Sequence, residues 1–257
     1  MRRLLAGLML AAWAPWVAAA DYAPLPATHF ASVLPEAEAK APVAVAAFEL
    51  RTEPVTNAEF LAFVQARPDW RRDRVAAVFA DSGYLAHWQS ATVLGAEALP
   101  GQPVTRVSWF AAQAYCESEG ARLPSWHEWE LAAAADATRA DARKDPAWRE
   151  AVLAWYGRPS NTPLPPVGGD ANLYGVRDLN GLVWEWVLDF NAMMVSYDSR
   201  EQNGADTLRF CGAGAASMDQ KENYASLMRV AMLSALTAVD TTTNLGFRCA
   251  RSTGEVP

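Results

Sequence analysis

Histidine and cysteine are the scarce residues of this chain, three of each in 257 residues. His29, His87 and His127 lie far apart in sequence, and no local spacing supplies the two histidines and one carboxylate of an iron triad. His127 and Glu130, three apart on an expected helix, share a face but read as surface or cap residues. Basic residues are also short: 22 Lys and Arg stand against 29 Asp and Glu, a formal net charge of −7. That balance argues against nucleic acid or an anionic membrane surface as partner. No internal repeat is present. The apolar run at the N-terminus is broken by Pro15 and is too short for a membrane span.

What is present begins with Met1-Arg-Arg-Leu-Leu, a brief apolar stretch and a small-x-small site at Ala18 and Ala20. This pattern reads as a cleavable secretory signal over residues 1–20. No cysteine lies near the cleavage point, so no lipid anchor is expected on the mature chain. The Ala-rich composition looks bacterial, which points to a secreted, periplasmic protein. In an oxidising compartment three cysteines resolve most simply into one disulfide and one free thiol. Cys116 ends an expected helix and Cys249 sits in an expected terminal strand, both apolar settings, so they are the expected pair and Cys211 is left over. On the chain-entropy model, closing so long a loop stabilises by roughly 4–5 kcal/mol.

The pattern along the chain predicts an extended, Ala- and Pro-rich segment over 21–42 and then a single domain over 43–257. Val43 to Leu50 reads as a strand. Thr56-Asn-Ala-Glu59 is a capping box that opens a helix. Ser108 caps a second helix, and Ser125 with Glu128 caps a third. Pro68 to Gly101 reads as irregular, and 136–172 as a long surface excursion. Asn191 to Thr207 reads as a loop, and Asn244 to Ala250 as an alternating strand. Short strands, two to three helices and much irregular backbone define an α+β domain.

The most informative stretch is Asp178-Leu-Asn-Gly-Leu-Val-Trp-Glu-Trp-Val187. Read as extended chain, Val183, Glu185 and Val187 face one way and Trp184, Trp186 and Leu188 the other. A carboxylate in so apolar a run requires a cation or an arginine beside it. The Asp178 carboxylate and the carbonyls of a glycine-containing turn lie just upstream, oxygen donors of the kind calcium takes. A buried pair between Glu185 and an arginine answers the same requirement. Arg209, Arg229 and Arg248 are the arginines considered for such pairs or for lining a groove.

The ordered series Glu53-Pro-Val-Thr-Asn57, Pro103-Val-Thr-Arg-Val-Ser-Trp109, Arg122-Leu-Pro124, Glu128-Trp-Glu130, Gly181-Leu-Val-Trp-Glu-Trp186 and Gly246-Phe-Arg-Cys249 resembles the formylglycine-generating-enzyme family. That family is the sulfatase-modifying-factor domain, with a fold related to C-type lectins, and the match spans roughly residues 45–251. The resemblance implies a calcium site at Asp178, Gly181, Val183 and Glu185, although Leu182 stands where the family usually has Asn. It also implies a disulfide at Cys116 and Cys249.

One departure bears directly on function. Oxidase members carry two cysteines, five apart, that bind copper and oxidise a substrate cysteine. Counted back from Cys249, those positions are Gln220 and Ala225, neither of which offers a thiolate. Formylglycine generation is therefore not expected, and the relict cleft keeps only Ser217 and Asp219 as polar candidates. No histidine lies near in sequence to activate Ser217. Soft donors do gather nearby, with Cys211, Met218 and Met228 as a candidate copper site and ordinary packing as the plainer account. Together these readings predict a periplasmic accessory that binds a protein or peptide partner, such as one aiding maturation of a copper oxidoreductase like nitrite reductase. The alternatives are an oxidase-type tailoring enzyme like those that mature siderophores, and a calcium-dependent, lectin-like recognition module.

Overall fold

The computed structural model describes residues 20–34, 42–159, 162–192 and 223–254. Both ends of this span enter one antiparallel sheet, in which β4 (Phe48–Arg51) is flanked by β1 (Tyr22–Leu25) and β7 (Ala250–Ser252). Its registers pair Tyr22 with Arg51 and Leu50 with Ala250. Pro24 is tolerated because β1 is an edge strand, where a missing N–H interrupts no ladder. A second pair joins β2 (Thr28–Phe30) to β3 (Val43–Val45). Within the 21–42 segment expected to precede the domain, the described strands β1 and β2 are built into the sheets, and Ala23, Leu25 and Phe30 are core residues. The single strand expected over Val43–Leu50 is two strands that serve different sheets.

The three capped helices form where the caps predict. α1 (Asn57–Ala66) opens with a reciprocal box between Thr56 and Glu59, and α3 (Trp126–Ala133) with one between Ser125 and Glu128. The Ser108 hydroxyl accepts the Ala111 amide at the start of α2 (Trp109–Ser118). Phe60 of α1 packs on Tyr115 of α2 with ring centroids 5.8 Å apart, and on Phe247 at 6.0 Å. Cys116 of α2 is bonded to Cys249, with a Cα separation of 5.5 Å across 133 positions of sequence. Both are fully buried.

Two expectations fail locally. The excursion 136–172 contains α4 (Pro146–Tyr156), capped by Asp145 with Pro146 in its first turn. Those start signals outweigh the polar composition around them. The terminal strand is interrupted: β6 (Leu245–Gly246) pairs in parallel with β5 (Trp184–Glu185), and β7 begins only at Ala250. A Cβ on Gly246 would sit 2.5 Å from the Val104 carbonyl oxygen, so only glycine allows this approach. The last helix, α5 (Tyr224–Ser234), buries Ala225, Arg229, Val230 and Leu233.

Candidate functional site

The Trp184-Glu185-Trp186 segment is extended for only two residues, but it is wired into the core along its length. The Trp184 amide donates to the Asn244 carbonyl at 2.8 Å, and the Trp186 amide to that of Gly246 at 3.0 Å. The Trp186 indole N–H reaches the Val107 carbonyl at 2.9 Å. The two-sided alternation expected here gives way to burial on both sides, since Val183, Glu185, Trp186 and Val187 are all fully buried.

Glu185 meets its charge requirement with Arg248. The Arg248 Nε donates to Oε2 and Nη2 to Oε1, each at 2.8 Å, and both side chains are fully buried. The Trp129 indole N–H adds a third bond to Oε2, also 2.8 Å. Arg248 additionally donates to the carbonyls of Arg51, Thr52 and Arg177, at 3.2, 3.1 and 2.8 Å. One guanidinium thus ties β4, the 177–178 turn and the Trp-Glu-Trp segment together. The arginine pair, one of the two answers left open by the sequence, is formed.

A second arginine is buried beside this pair, without a carboxylate of its own among the described residues. Arg229 is 1 % exposed. Its guanidinium lies 3.5 Å over the Trp129 ring and 5.2 Å from the centre of Trp184. Among the described residues its one hydrogen bond runs from Nη2 to the Val183 carbonyl at 3.4 Å, and its Nε has no partner. Burial draws its pKa down to about 10, against the raising influence of Tyr156 and Glu185. Trp184 stacks in turn on Tyr156, with centroids 4.7 Å apart. Tyr156 donates its hydroxyl to the Ala225 carbonyl at 2.8 Å, and burial raises its pKa. Ala225 and Arg229 are four apart on α5 and so share one face. A cavity of about 50 Å³ opens beside this stack, lined by Trp155, Tyr156, Leu182, Trp184 and Asn244 among others.

The remaining sequence-predicted residues fall as follows. The Asp178 carboxylate accepts the Gly168 and Gly169 amides at 2.8 and 3.1 Å, and Asp178 itself has a positive φ of 61°. With Asp178 turned to that loop and Glu185 already neutralised, calcium is not required as a counter-charge. Glu185 Oε1 accepts one hydrogen bond, which leaves a lone pair, and the Gly181 and Val183 carbonyls precede it. Of the expected donors, Glu185 is paired with Arg248 and the Val183 carbonyl accepts Arg229 Nη2. Among the described residues no group of three or more His, Cys, Asp or Glu side chains is arranged to hold a metal. Ala225 is buried at the start of α5, and Met228 is 37 % exposed on the same helix. Ser217, Asp219, Gln220, Cys211, Met218, Arg209 and the signal segment 1–19 lie outside the described residues. Sequence reasoning missed Trp129, Tyr156 and the pairing state of Arg229. The α4 start signals at Asp145 and Pro146 would have exposed Tyr156, while nothing local marks Arg229 as unpaired.

The chain matches the FGE-sulfatase family model, described as a sulfatase-modifying factor enzyme 1-like domain, over residues 21–253. It is 36% identical over 162 residues to hercynine oxygenase of Mycolicibacterium smegmatis, covering 56% of this chain and 37% of that protein. It is 32% identical over 171 residues to inactive C-alpha-formylglycine-generating enzyme 2 of Bos taurus, covering 60% and 52%. With the formylglycine-generating enzyme of Streptomyces coelicolor it shares 30% identity over 243 residues, 79% of this chain and 77% of that one. The chain thus spans from about a third to about half of the length of the first two relatives. Among solved structures it resembles CarF (TM-score 0.45, 15% identity, 91% and 98% coverage). It also resembles PvdO from Pseudomonas aeruginosa (TM-score 0.44, 20% identity, 89% and 93% coverage).

Proposed function

The chain belongs to the sulfatase-modifying-factor, or formylglycine-generating-enzyme, family, and from that premise we propose that it is a non-oxidase member. In this reading it is an exported, periplasmic accessory that holds a protein or peptide segment without converting cysteine to formylglycine. Ala225 is the observation that carries it. Counted back from Cys249, Ala225 falls at the second of the two positions where oxidase members keep sulfur, and it is a buried methyl group on α5. Gln220 stands at the first. Copper chemistry on a substrate thiol needs soft ligands that these side chains do not supply. A relative bearing the word inactive in its name gives loss of oxidase activity a precedent in the family.

The test is to supply a cysteine-containing sulfatase peptide, Cu(I) and oxygen, and to trap any aldehyde with an aminooxy reagent. No aldehyde is expected, and its formation by the wild-type chain would overturn the reading. A copper-handling version of the role draws on Cys211, Met218 and Met228. Titration with Cu(I) tests it, and binding weaker than micromolar removes it. Calcium enters the proposal as a structural ligand of Glu185 and the Gly181 and Val183 carbonyls. A melting temperature that ignores both added calcium and chelator would sink that part.

A second reading, an oxidase-type tailoring enzyme of different chemistry, draws on the 36% identity to hercynine oxygenase. It requires metal ligands from a partner or from segments outside the described residues, because the described ones hold no suitable group of acidic, His or Cys side chains. Iron or copper retained stoichiometrically after purification would favour it over the accessory role.

A further inference from the structure

The few basic residues of this chain are distributed unevenly. Arg67, Arg71, Arg72 and Arg74 fall close together, with only Asp69 and Asp73 among them, in a protein whose formal net charge is −7. The backbone there is a single 3-10 turn, Pro68–Trp70, followed by tight turns in which the Arg71 carbonyl accepts the Arg74 and Val75 amides. Arg71 is neutralised by Asp73 at 2.8 Å. Arg72 donates to the carbonyls of Leu85, Trp88 and Gln89 at 3.1, 2.8 and 3.2 Å, bonds that fix the guanidinium but leave its charge uncancelled. Arg67 and Arg74 are exposed and make no ion pair among the described residues. His87 registers the same positive surroundings: desolvation, and then the Arg106 and Arg72 charges, oppose its protonation. The nearby Asp81 carboxylate is engaged by the Gly83 amide and by the Thr241 amide and hydroxyl.

Beside these arginines lies a groove of about 490 Å³, lined by Arg72, Val75, Ala80 and Tyr84 among others. Asp73, Ala77 and Ser82 also line it and are exposed, so the groove opens to solvent. Ala77 and Ala80 bracket Val78 and Phe79, which are 67 % and 42 % exposed. Phe79 is nevertheless held in place, with ring centroids 5.8 Å from Trp70 and 5.4 Å from Phe110. Neighbouring apolar side chains left in water beside a groove mark an interaction surface. Aromatic residues and arginine are the types that interfaces concentrate. The local charge is opposite in sign to that of the whole protein, so it attracts an acidic partner where the rest of the surface repels one.

We propose that this groove is a docking surface for an acidic segment of a partner protein. An apolar side chain of that segment enters the groove beside Val78 and Phe79, and its carboxylates lie near Arg72 and Arg74. Aspartates set between the arginines favour separately placed carboxylates, as a peptide offers, over the uniform charge of an anionic membrane. The groove shares no lining residue with Glu185 or α5, so the inference goes beyond the proposed function and survives its failure.

The experiment presents the whole chain to an array of short synthetic peptides that combine Asp or Glu with Leu or Phe at varied spacings. Each peptide stands beside its Asn or Gln twin. The best acidic peptides are expected to bind about tenfold more tightly than their twins, the combined span of two or three exposed ion pairs. Added salt should weaken that preference. Arg74→Glu should abolish it, and Val78→Ser should weaken acidic peptide and neutral twin alike, because it removes the apolar rim. Both side chains are exposed, so the melting temperature should hold. Should a variant fail to fold, photo-cross-linking of the best acidic peptide to wild type must map to residues 67–86, and a map elsewhere overturns the proposal. Equal affinity of every peptide and its twin overturns it, as does an acid preference that survives Arg74→Glu. Vesicles rich in phosphatidylglycerol that bind through Arg74 while no peptide does make the surface a membrane contact and sink the peptide reading. A salt-sensitive dimer that Arg74→Glu dissolves would put a second copy of this chain in the groove and overturn it equally.

Discussion

Glu185→Gln isolates the charge logic of the site. In the wild type one carboxylate lies among two buried guanidiniums, bonded to Arg248 through both oxygens. The substitution keeps the shape and the Trp129 bond but leaves Arg248 and Arg229 as two buried like charges. Removing one partner of a buried ion pair destabilises by about 3–5 kcal/mol. For a domain of this size each kcal/mol lowers the melting temperature by about 2–4 °C, so a fall of roughly 10 °C is expected. Arg248→Met is the informative contrast, because it leaves Glu185 with Arg229 close by and a formal sum of zero. It forfeits five hydrogen bonds, yet its charge penalty should be smaller than that of Glu185→Gln. The double variant Glu185→Gln/Arg229→Met removes one of the two stranded cations and should recover part of the loss. Denaturant titrations followed by tryptophan fluorescence measure all three. A change below about 1 kcal/mol for Glu185→Gln, or strict additivity in the double variant, would refute the claim that these charges share one dry site.

Other consequences can be measured in the same way. Reduction of the Cys116–Cys249 bond should lower stability by about 4–5 kcal/mol on the chain-entropy model, read as a shift in the denaturant midpoint with and without reductant. Desolvation of the half-buried His87, with the nearby Arg106 and Arg72 charges, pushes its pKa down from 6.5 to about 4. Because the unfolded state takes up that proton first, stability is complete above pH 6.5 and falls as pH drops toward 4. His87→Gln should flatten the loss over that window, and an unchanged pH profile counts against the assignment. Glu130 has its pKa raised by burial, despite its bonds to Ser32, Val33 and Arg143. Its protonated form is thus relatively favoured in the fold, and wild type should gain stability over Glu130→Gln as pH falls from neutral toward the ordinary carboxylate range. Ser125→Ala should lower stability by about 1 kcal/mol through loss of the α3 cap.

The parts of this fold legible in the sequence are those set by neighbours in sequence. Thr56 with Glu59 and Ser125 with Glu128 announced their helices because a capping box is completed within four residues. Glu185 was recognisable as a buried charge because the apolar run around it allows no other reading. Its partner was not, since Arg248 is 63 positions away and shares a candidate list with Arg209 and Arg229. The N-terminal strands were hidden for the same reason: Tyr22 to Leu25 becomes core only through β4, and nothing within 21–42 reveals that pairing. α4 is the opposite case, since Asp145 and Pro146 signalled a start that its polar surroundings concealed.

Arg248 and Arg229 also separate two roles that a single residue type plays here. Arg248 reaches Arg51 at the end of β4, Thr52 just after it, Arg177 in the turn and Glu185 in β5, so it behaves as a structural joint. It closes its own hydrogen-bonding account and needs nothing from outside. Among the described residues Arg229 makes one long hydrogen bond and otherwise lies against indole rings. Since both charges act on Glu185, removing the Arg229 charge should relieve the excess positive charge around the joint. Arg229→Met should therefore lower the melting temperature of the domain by much less than Glu185→Gln does. A loss in Arg229→Met as large as that in Glu185→Gln would contradict that coupling.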